Sequence, residues 1–431
     1  MRNFFASIGT FIVLCVAMVA RGEQNWPQFR GPTGQGLSDA KSLPVSWSET
    51  ENVKWKTPIH GKAWSSPVIW GNRIWLTSAT ADGHELYVLC VDKTSGKILL
   101  DEKLFDVPNP QYCIPFNSYA SPTPVVEEGR VYVSFGAPGI ACLDSDNGKP
   151  IWTRRDFVCN HFRGAGSSVF IWNDLMFLPF DGSDYQYIVA LNKKTGETVW
   201  KTNRSIDFKD IQPNGHPLGE GDLRKALSTA RIADFGQGPV LLSEGSKCMY
   251  GYDPMTGKEI FRFENRSAHS GSITPLIGRG LIFYTTGHGN PAELWALRPG
   301  GHGVLDDSQI AWKFRKAVPT RPSPVLVDDL IYMVNDTGVV NCIEADTGKD
   351  VWHDRIEGNF SAAPIYANGR IYFFSEDGPA TVIAAGRQFK VLATNHLDAG
   401  AMASPAVSED ALFVRTRKSL YRIESNATAA R

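Results

Sequence analysis

The sequence has little excess of charge of either sign. Its 431 residues carry a formal net charge of -1, and Lys, Arg, Asp and Glu together make up 21% of the chain. A chain without a basic excess has no general electrostatic attraction for nucleic acid or for an anionic membrane. Neither is therefore an expected partner.

Apolar runs long enough to cross a membrane are also missing, except at the N-terminus. There the apolar run from Phe4 to Ala20 precedes polar residues, a pattern that predicts a secretory signal peptide over residues 1–22 and an N-terminal extension over residues 23–46. The alternative is an uncleaved membrane anchor. Leu14 is too large for the lipid-attachment box that would surround Cys15, so a lipoprotein is not expected. A cleaved signal predicts a secreted or periplasmic protein with no remaining membrane span.

The common motifs of enzymes and cofactor sites are absent. The sequence has no Gly-x-Ser-x-Gly nucleophile elbow, no Cys-x-x-Cys-His haem site and no His-Glu-x-x-His metal site. His288 lies in the glycine-rich stretch 286–290, but no strand–helix pattern surrounds it, so a phosphate-binding loop is not expected. No single motif identifies a function.

What the sequence does contain is a repeated phrase. In each clear copy small apolar residues lead to an Asp, Asn or Glu, a short turn ends at Gly, and a Trp follows. A repeat of roughly 40 to 60 residues indicates a propeller, a solenoid or another array. The clear copies end at Trp152, Trp200 and Trp352, and weaker copies lie over residues 90–100 and 251–261.

A second half of the repeat precedes the first and completes a four-stranded unit. It begins with Ser or Thr and Pro, and continues as a short apolar strand, a turn and an aromatic-rich strand. Radial repetition of four-stranded antiparallel units forms a β-propeller. Eight first strands are predicted, starting near residues 67, 124, 168, 230, 275, 324, 364 and 405.

The two ends of the repeat array predict that the ring is closed by an N-terminal strand. The last unit ends after Glu424 without a fourth strand, whereas residues 53–57 form an orphan fourth strand before the first unit. Pairing the two removes exposed strand edges. The predicted fold is therefore all-β: an eight-bladed β-propeller of four-stranded antiparallel blades over residues 47–424, with a tail at 425–431.

The repeated residues have structural explanations. The aromatic side chains are expected to fill the gaps between blades, and the turn Gly to adopt positive φ. Cys90, Cys142 and Cys342 share one register of the repeat and are expected to be small buried side chains, as is Cys248. These residues are therefore not candidates for a functional site.

Three long segments outside the repeat share one face of the predicted propeller: 104–120, 156–167 and 203–228. Long loops on a rigid scaffold are frequent sites of function. Cys113 and Cys159 occupy equivalent places in two of these loops, each eight residues before a Ser. In an oxidising compartment they are a possible disulfide. Two unpaired thiols or a metal site are the alternatives.

A polar cluster surrounds these cysteines and supplies the candidate ligand-binding residues. Asn, His, Arg and carboxylate groups that converge on a funnel mouth suit a small polar or anionic ligand. Alternatively, they form hydrogen bonds that hold the long loops together. The candidates are Asn117, Tyr119, His161, Arg163, Asp181, Asp184 and Tyr185, together with His288 and Arg321 from later blades.

The Asp-x-x-Thr-Gly-Lys-x-x-Trp phrase resembles the pyrroloquinoline-quinone-like repeat of eight-bladed quinoprotein propellers. The stretches 25–32 and 159–164 look like those of secreted propellers from planctomycete-type bacteria. One functional branch, the quinoprotein alcohol dehydrogenases, implies a pair of adjacent cysteines and a calcium ion beside the quinone. This chain has no adjacent cysteines, although glucose-dehydrogenase-like members also lack them. The other branch, the outer-membrane assembly lipoprotein, implies a non-catalytic scaffold for protein partners.

The leading functional prediction is a monomeric secreted binding or scaffold protein that has no catalytic residues and no cofactor. Its partner, a protein or a small polar ligand, would bind the long-loop face. One alternative is a quinone-dependent dehydrogenase with calcium-bound pyrroloquinoline quinone in the central funnel. Another is an extracellular carbohydrate-binding module.

Overall fold

The computed structural model describes residues 25–266, 268–289 and 291–425. Over these ranges the regular secondary structure is β-strand, apart from two short 3₁₀ segments at Leu218–Arg224 and Asp307–Gln309. The predicted signal peptide lies outside the described residues. Among the residues that are described, no helix is long and apolar enough to cross a membrane.

Eight antiparallel sheets form the blades of a propeller, as the repeat predicts. Each first strand begins within two residues of its predicted position. Two strands precede the first blade: β1 (Leu37–Ser38) and β2 (Val53–Pro58). Blades 1 to 4 contain β3 (Val68–Trp70), β4 (Arg73–Ala79), β5 (Glu85–Asp92) and β6 (Ile98–Asp106); β7 (Val125–Glu127), β8 (Arg130–Ser134), β9 (Ile140–Asp144) and β10 (Pro150–Arg154); β11 (Phe170–Trp172), β12 (Leu175–Asp181), β13 (Gln186–Asn192) and β14 (Thr198–Asn203); β15 (Arg231–Asp234), β16 (Pro239–Gly245), β17 (Cys248–Tyr252) and β18 (Glu259–Glu264).

The second half of the ring continues the same order. The extra strand β22 lies between the third and fourth strands of blade 5 in the sequence but pairs with a neighbouring blade. Blades 5 to 8 contain β19 (Leu276–Gly278), β20 (Leu281–Thr285), β21 (Leu294–Leu297) and, after β22 (Gly303–Leu305), β23 (Ile310–Phe314); β24 (Val325–Val327), β25 (Leu330–Val334), β26 (Val339–Glu344) and β27 (Asp350–Arg355); β28 (Ile365–Ala367), β29 (Arg370–Phe374), β30 (Pro379–Ala384) and β31 (Val391–His396); β32 (Ala406–Ser408), β33 (Ala411–Arg415) and β34 (Ser419–Glu424).

The N-terminal strand β2 completes blade 8, which confirms the predicted ring closure. It pairs antiparallel with β34, with Trp55 opposite Arg422 and Lys56 opposite Tyr421. Lys56 Nζ also lies 2.9 Å from a carboxylate oxygen of Glu49 and 2.6 Å from one of Asp398. Backbone pairing and charge therefore join the two ends of the array.

The repeated Trp and Gly form one contact between neighbouring blades. The Trp152 indole Nε1 donates to the Lys193 carbonyl of the next blade at 3.0 Å. A Cβ on Gly196, in the same turn, would lie 2.7 Å from the Trp152 ring, and its φ is +75°. Glycine is therefore required there twice, for its backbone conformation and for the close approach of the ring. The equivalent indole bonds run from Trp55 to Lys93, from Trp200 to Pro254, from Trp312 to Ala345 and from Trp352 to Gly386.

Two blades carry a fifth strand that the repeat does not predict. β22 pairs parallel with β18 at the outer edge of blade 4, and β1 pairs parallel with β28 at the inner edge of blade 7. β1 is only two residues long. It places the N-terminal segment beside the inner strands, close to the propeller axis.

The segment 26–38, called the plug below, crosses the axis beside the first strands of the blades. Because the cavity described below is lined by the connections that precede those strands, the plug lies beneath it. Nothing in the repeat pattern indicates this position. The plug forms hydrogen bonds to blades 1, 2, 5 and 7 and to the residue before the first strand of blade 6. The bonds join Trp26 to Ile69, Pro27 to Val126, Gln35 to Ile277, Arg30 to Pro324 and Gly36 to Tyr366.

Candidate ligand-binding cavity on the funnel face

A cavity of about 530 Å³ opens on the face that carries the long loops. Its wall includes Trp64 before blade 1, Arg163 before blade 3, Arg321 before blade 6 and Met402 before blade 8. Connections around the whole ring therefore contribute to one central site. Ligand cavities are commonly 300 to 1,000 Å³, so the volume suits a small molecule.

One wall of the cavity is aromatic and surrounded by positive charge. Trp64 Nε1 donates to the Phe116 carbonyl at 3.0 Å, which fixes the indole. The Arg321 guanidinium lies 4.4 Å from the centre of the Phe116 ring. Lys62 and Arg417 lie 5.6 and 5.5 Å from the Trp64 ring centre. These distances are those of cation–π contacts.

A first charged group joins two long loops across the cavity wall. Arg163 donates both Nε and Nη2 to the Asp222 carboxylate, at 2.9 and 2.6 Å. Lys225 contacts the same carboxylate. Burial opposes ionisation of Asp222, but the hydrogen bonds from Lys225 and Arg163 outweigh it, and its pKa lies below the usual value. Asp222 is therefore a charged, already paired group.

A second charged group leaves hydrogen-bonding capacity unused. Arg321 Nε lies 3.6 Å from a carboxylate oxygen of Asp336, and Arg321 Nη1 lies 3.3 Å from one of Glu376. Asp336 accepts instead from the backbone and hydroxyl of Thr320. The buried Nε of Arg321 has no hydrogen-bond partner among the described residues. Arg321 is thus held in the wall by two carboxylates at ion-pair distance, and its Nε is a hydrogen-bond donor that neither of them uses.

Two histidines meet at the cavity and are neutral. His269 and His288 exchange backbone hydrogen bonds of 2.8 and 2.7 Å, and their ring centres lie 6.3 Å apart. Burial lowers the pKa of His269 to about 4, with a further contribution from nearby Lys225. Burial also lowers the pKa of His288. At neutral pH both rings therefore offer hydrogen bonds without charge.

Asn117 lines the cavity but its side chain holds the loops. Its Nδ2 donates to the carbonyls of Arg163 and Ala165 at 3.0 and 3.3 Å. Its Oδ1 accepts from the Ser118 backbone and the Ser121 hydroxyl at 2.8 and 2.6 Å. The amide is fully used within the protein, in line with the loop-bonding alternative.

Three other predicted candidates point away from the cavity. His161 is buried and its Nε2 accepts from the Ala137 backbone at 3.0 Å. Asp181 receives a two-bond contact from Arg204, at 2.9 and 2.7 Å, inside the protein. Tyr119 donates its hydroxyl to a loop carbonyl at 2.9 Å. In the structure these side chains form internal contacts.

Asp184 and Tyr185 lie apart from the cavity as well. Asp184 accepts from the backbones of Asn160 and Tyr185, both at 2.7 Å, and borders an open polar cleft under the loop 203–228. The Tyr185 side chain is 55% exposed. The predicted cluster therefore divides into cavity, interior and outer-face groups.

Cys113 and Cys159 are free thiols in the structure, and their disulfide stays a prediction. Cys113 Sγ lies 3.7 Å from the Arg163 carbonyl, whereas Cys159 Sγ lies 3.8 Å from His161 Nδ1. The two sulfurs point into different surroundings although their loops are equivalent. The four repeat cysteines are buried, as expected.

Several cavity residues were not singled out from the sequence. Their common signal is position, since they lie in the links between blades or, for Asp336, in the link between second and third strands. Residue type alone does not mark them. They are Trp64, Phe116, Asp222, Lys225, His269 and Asp336.

The cavity residues do not fit a calcium ion. Calcium takes six to eight oxygen ligands, usually several from carboxylates. Asp222 is bonded to Arg163 and Lys225, and Asp336 to Thr320. Among the described residues, no group of three or more His, Cys, Asp or Glu side chains is arranged to hold a metal.

The sequence matches the family described as outer membrane protein assembly factor BamB over residues 36–203, 184–302 and 303–388. The chain belongs to this family. Like the BamB family it is a propeller of quinoprotein-like repeats, which confirms the resemblance. The planctomycete-type origin stays a prediction.

Individual relatives fall in both functional branches. The BamB of Shewanella oneidensis is 20% identical over 320 residues, which cover 69% of this chain and 72% of that protein. The quinone alcohol dehydrogenase subunit of Acetobacter aceti is 25% identical over 296 residues, or 59% of this chain. The match spans about a third (34%) of the length of that dehydrogenase subunit.

Solved structures share the fold at low sequence identity. A europium-containing methanol dehydrogenase has a TM-score of 0.66 at 11% identity, covering 92% of this chain and 90% of that one. BamB from Moraxella catarrhalis has a TM-score of 0.56 at 12% identity, covering 86% and 99%. At these identities the likeness establishes the propeller fold and no activity.

Proposed function

We propose that this BamB-family propeller is a secreted or periplasmic binding protein whose central cavity takes a small ligand with an anionic group. The observation that carries the proposal is the Arg321 guanidinium, which lies in the cavity wall at ion-pair distance from Asp336 and Glu376 while its Nε forms no hydrogen bond within the described residues. A buried donor without a partner costs free energy until a ligand accepts from it. No catalytic group is assigned.

The charge balance around the cavity supports an anionic ligand. The cations in or beside the wall are Lys62, Arg163, Lys225, Arg321 and Arg417, whereas the carboxylates are Asp222, Asp336 and Glu376. Positive charge is therefore in excess. The rings of Trp64 and Phe116 supply an apolar surface beside it. A planar ligand with one or more carboxylates combines both features.

The quinone dehydrogenase alternative is less well supported by these residues. The cations suit an anionic quinone, but the carboxylates that calcium requires are already bonded to cations or to Thr320. The chain also lacks the adjacent cysteines that the resemblance implies for the alcohol dehydrogenases. The cavity residues therefore favour binding of an anionic quinone more than they favour calcium-dependent oxidation by it.

A scaffold role for a protein partner is the second candidate. The long loops expose large apolar side chains on and beside the funnel face, including Tyr112, Val158 and Tyr185, which are 62%, 63% and 55% exposed. Exposed apolar residues grouped on one face favour a protein contact. The Shewanella relative is named as an assembly factor. A partner on this face would also cover the cavity mouth.

Thermal-shift titration tests the ligand proposal directly. Benzoate, phthalate and a neutral benzamide are the probes, and carboxylates are expected to raise the melting temperature where benzamide does not. Arg321→Met is expected to weaken carboxylate binding at least tenfold, because a charged hydrogen bond is lost. Arg279→Met is the matched control, since Arg279 pairs with Asp346 in the turns at the other end of the blades.

The outcomes separate the two candidates. If the wild-type protein responds equally to carboxylates and to benzamide, or if Arg321→Met binds as well as the wild type, the anionic-ligand proposal is wrong. If carboxylates do not bind and a protein partner binds the long-loop face, the scaffold role is favoured.

A further inference from the structure

Two buried arginines below the cavity have no carboxylate partner. Arg30 belongs to the plug and is 1% exposed, and Arg231 opens β15 and is 7% exposed. Within the described residues neither guanidinium forms an ion pair. Both positive charges are therefore inside the protein without a compensating negative charge.

Their hydrogen bonds are incomplete. Arg30 Nη2 donates to the carbonyls of Gln35 and Pro324 at 2.8 and 2.5 Å. Arg231 Nη2 donates to the Thr33 carbonyl, and its guanidinium lies 5.1 Å from the centre of the Phe170 ring. Arg30 Nε, Arg30 Nη1 and Arg231 Nε are buried and have no partner among the described residues.

The two guanidinium groups flank the same short stretch of the plug. A Cβ on Gly34 would lie 2.1 Å or less from three guanidinium atoms of Arg231, and one on Gly36 would lie 3.1 Å from Arg30 Nη2. Burial, followed by repulsion from Arg231, lowers the pKa of Arg30 to about 9. Burial lowers the pKa of Arg231 to about 10. Both groups are still protonated at neutral pH.

Other buried arginines of this chain show how it normally satisfies such a group. Arg204 is paired with Asp181 through two hydrogen bonds and also donates to Ser243 and Tyr252. Arg415 has no carboxylate, but its Nη1 has three oxygen acceptors on Ser65 and Thr77, and none of its nitrogens is among the buried atoms without a hydrogen bond. Arg30 and Arg231 have neither solution.

A buried charge is expensive unless it is paired, and a guanidinium does not escape the cost by losing its proton near neutral pH. We propose that a small inorganic anion of the chloride class binds between the plug and blade 4, bonded to Arg30 and Arg231. The anion supplies one negative charge between the two arginines, which offsets part of their combined positive charge, and it accepts from the free Nε groups. It thereby fixes the plug to the ring independently of any ligand in the cavity above.

Crystallography with bromide tests the site without any variant. Crystals of the whole protein soaked or grown in sodium bromide are expected to show an anomalous peak in contact with both Arg30 and Arg231. A peak on neither guanidinium, or water in that position at high bromide concentration, would overturn the proposal.

Solution stability gives a second test. At constant ionic strength, replacing gluconate by chloride is expected to raise the melting temperature by roughly 2 °C for each tenfold rise in chloride above its dissociation constant. Arg30→Met and Arg231→Met are expected to abolish this dependence, and Arg415→Met, an equally buried control, to keep it. Equal effects of chloride and gluconate on the wild type would contradict the site, even if a variant fails to fold.

Discussion

At the scale of single residues, Glu244 is the most unusual buried group. It is fully buried, and neither carboxylate oxygen has a hydrogen-bond partner among the described residues. It lies against Gly271, where an added Cβ would be 2.2 Å from Oε1, between the cavity residues Ser270 and Ser272. Burial raises the pKa of this carboxyl well above its usual value. At pH values between its ordinary pKa and its raised pKa, Glu244 is therefore protonated in the folded protein and ionised in the unfolded chain.

This difference predicts that Glu244→Gln stabilises the protein at alkaline pH. Above about pH 4.5 the unfolded chain releases the Glu244 proton while the folded protein retains it, so folding stability falls as pH rises, by up to about 1.4 kcal/mol per pH unit. The amide removes this loss. Melting curves at pH 5 and pH 8 should show a larger gain for the variant at pH 8. An equal loss of stability at both pH values would contradict a protonated Glu244.

Asp181, a ligand-binding candidate in the sequence, forms a buried ion pair inside the protein instead. It is paired with Arg204 at a site where both side chains are 1% exposed. Asp181→Ala leaves that guanidinium unpaired and is expected to cost about 3–5 kcal/mol of unfolding free energy. Denaturant unfolding checks the loss, and the double variant Asp181→Leu with Arg204→Met should recover most of it. Wild-type stability of the single variant would show that the pair is not structural.

At the scale of elements, the indole bond of the repeat Trp joins neighbouring blades at five of the eight junctions. The contact joins the last strand of one blade to the turn before the last strand of its neighbour. The Trp and the Gly that touch belong to different repeats. The sequence therefore shows that both residues recur, but not that the Trp of one repeat contacts the Gly of the next. The bond explains why the phrase carries both residues.

Gly196→Ala is expected to destabilise the protein more than Gly129→Ala. Both glycines have φ of +75°, but a Cβ at Gly129 meets nothing within 4 Å, whereas one at Gly196 meets the Trp152 ring at 2.7 Å. The backbone strain, about 1 kcal/mol, is common to both. The extra loss at Gly196, about 1–3 kcal/mol, reports the blade contact. Equal melting temperatures of the two variants would contradict this role.

The elements that sequence predicts are those with a pattern. Alternating apolar strands, turn residues and the missing fourth strand of the last unit identify eight blades and their closure. The two-residue β1 and the plug have no such periodicity, because their structure depends on side chains from several blades. Arg30 illustrates this, since its burial at the axis requires the assembled ring.

The sequence predicts which face of the propeller carries the candidate site, but not which side chains on that face line the cavity. His161 and Arg163 are two residues apart in one loop, yet His161 turns into the blade and Arg163 into the cavity. Loop geometry decides this, and no repeat constrains it. Asn117, Arg163, His288 and Arg321 do line the cavity, whereas Asp181 and His161 do not.

At the scale of the whole molecule, a closed ring and a plugged axis produce a cavity that opens on one face. β2 closes the ring, and the plug joins the inner strands beneath the cavity. The long loops surround the mouth of this cavity. Under the proposed binding function, the propeller is the rigid frame that holds these loops.

The central claim is that this cavity binds an anionic ligand and is not a calcium–quinone centre. Calorimetric titration with pyrroloquinoline quinone, with calcium and with a chelator, tests it most directly when followed by dye-linked alcohol or glucose oxidation. The account predicts that any quinone binding is independent of calcium, weakened by Arg321→Met, and unaccompanied by dye reduction. Stoichiometric uptake that requires calcium and yields dye reduction would contradict it.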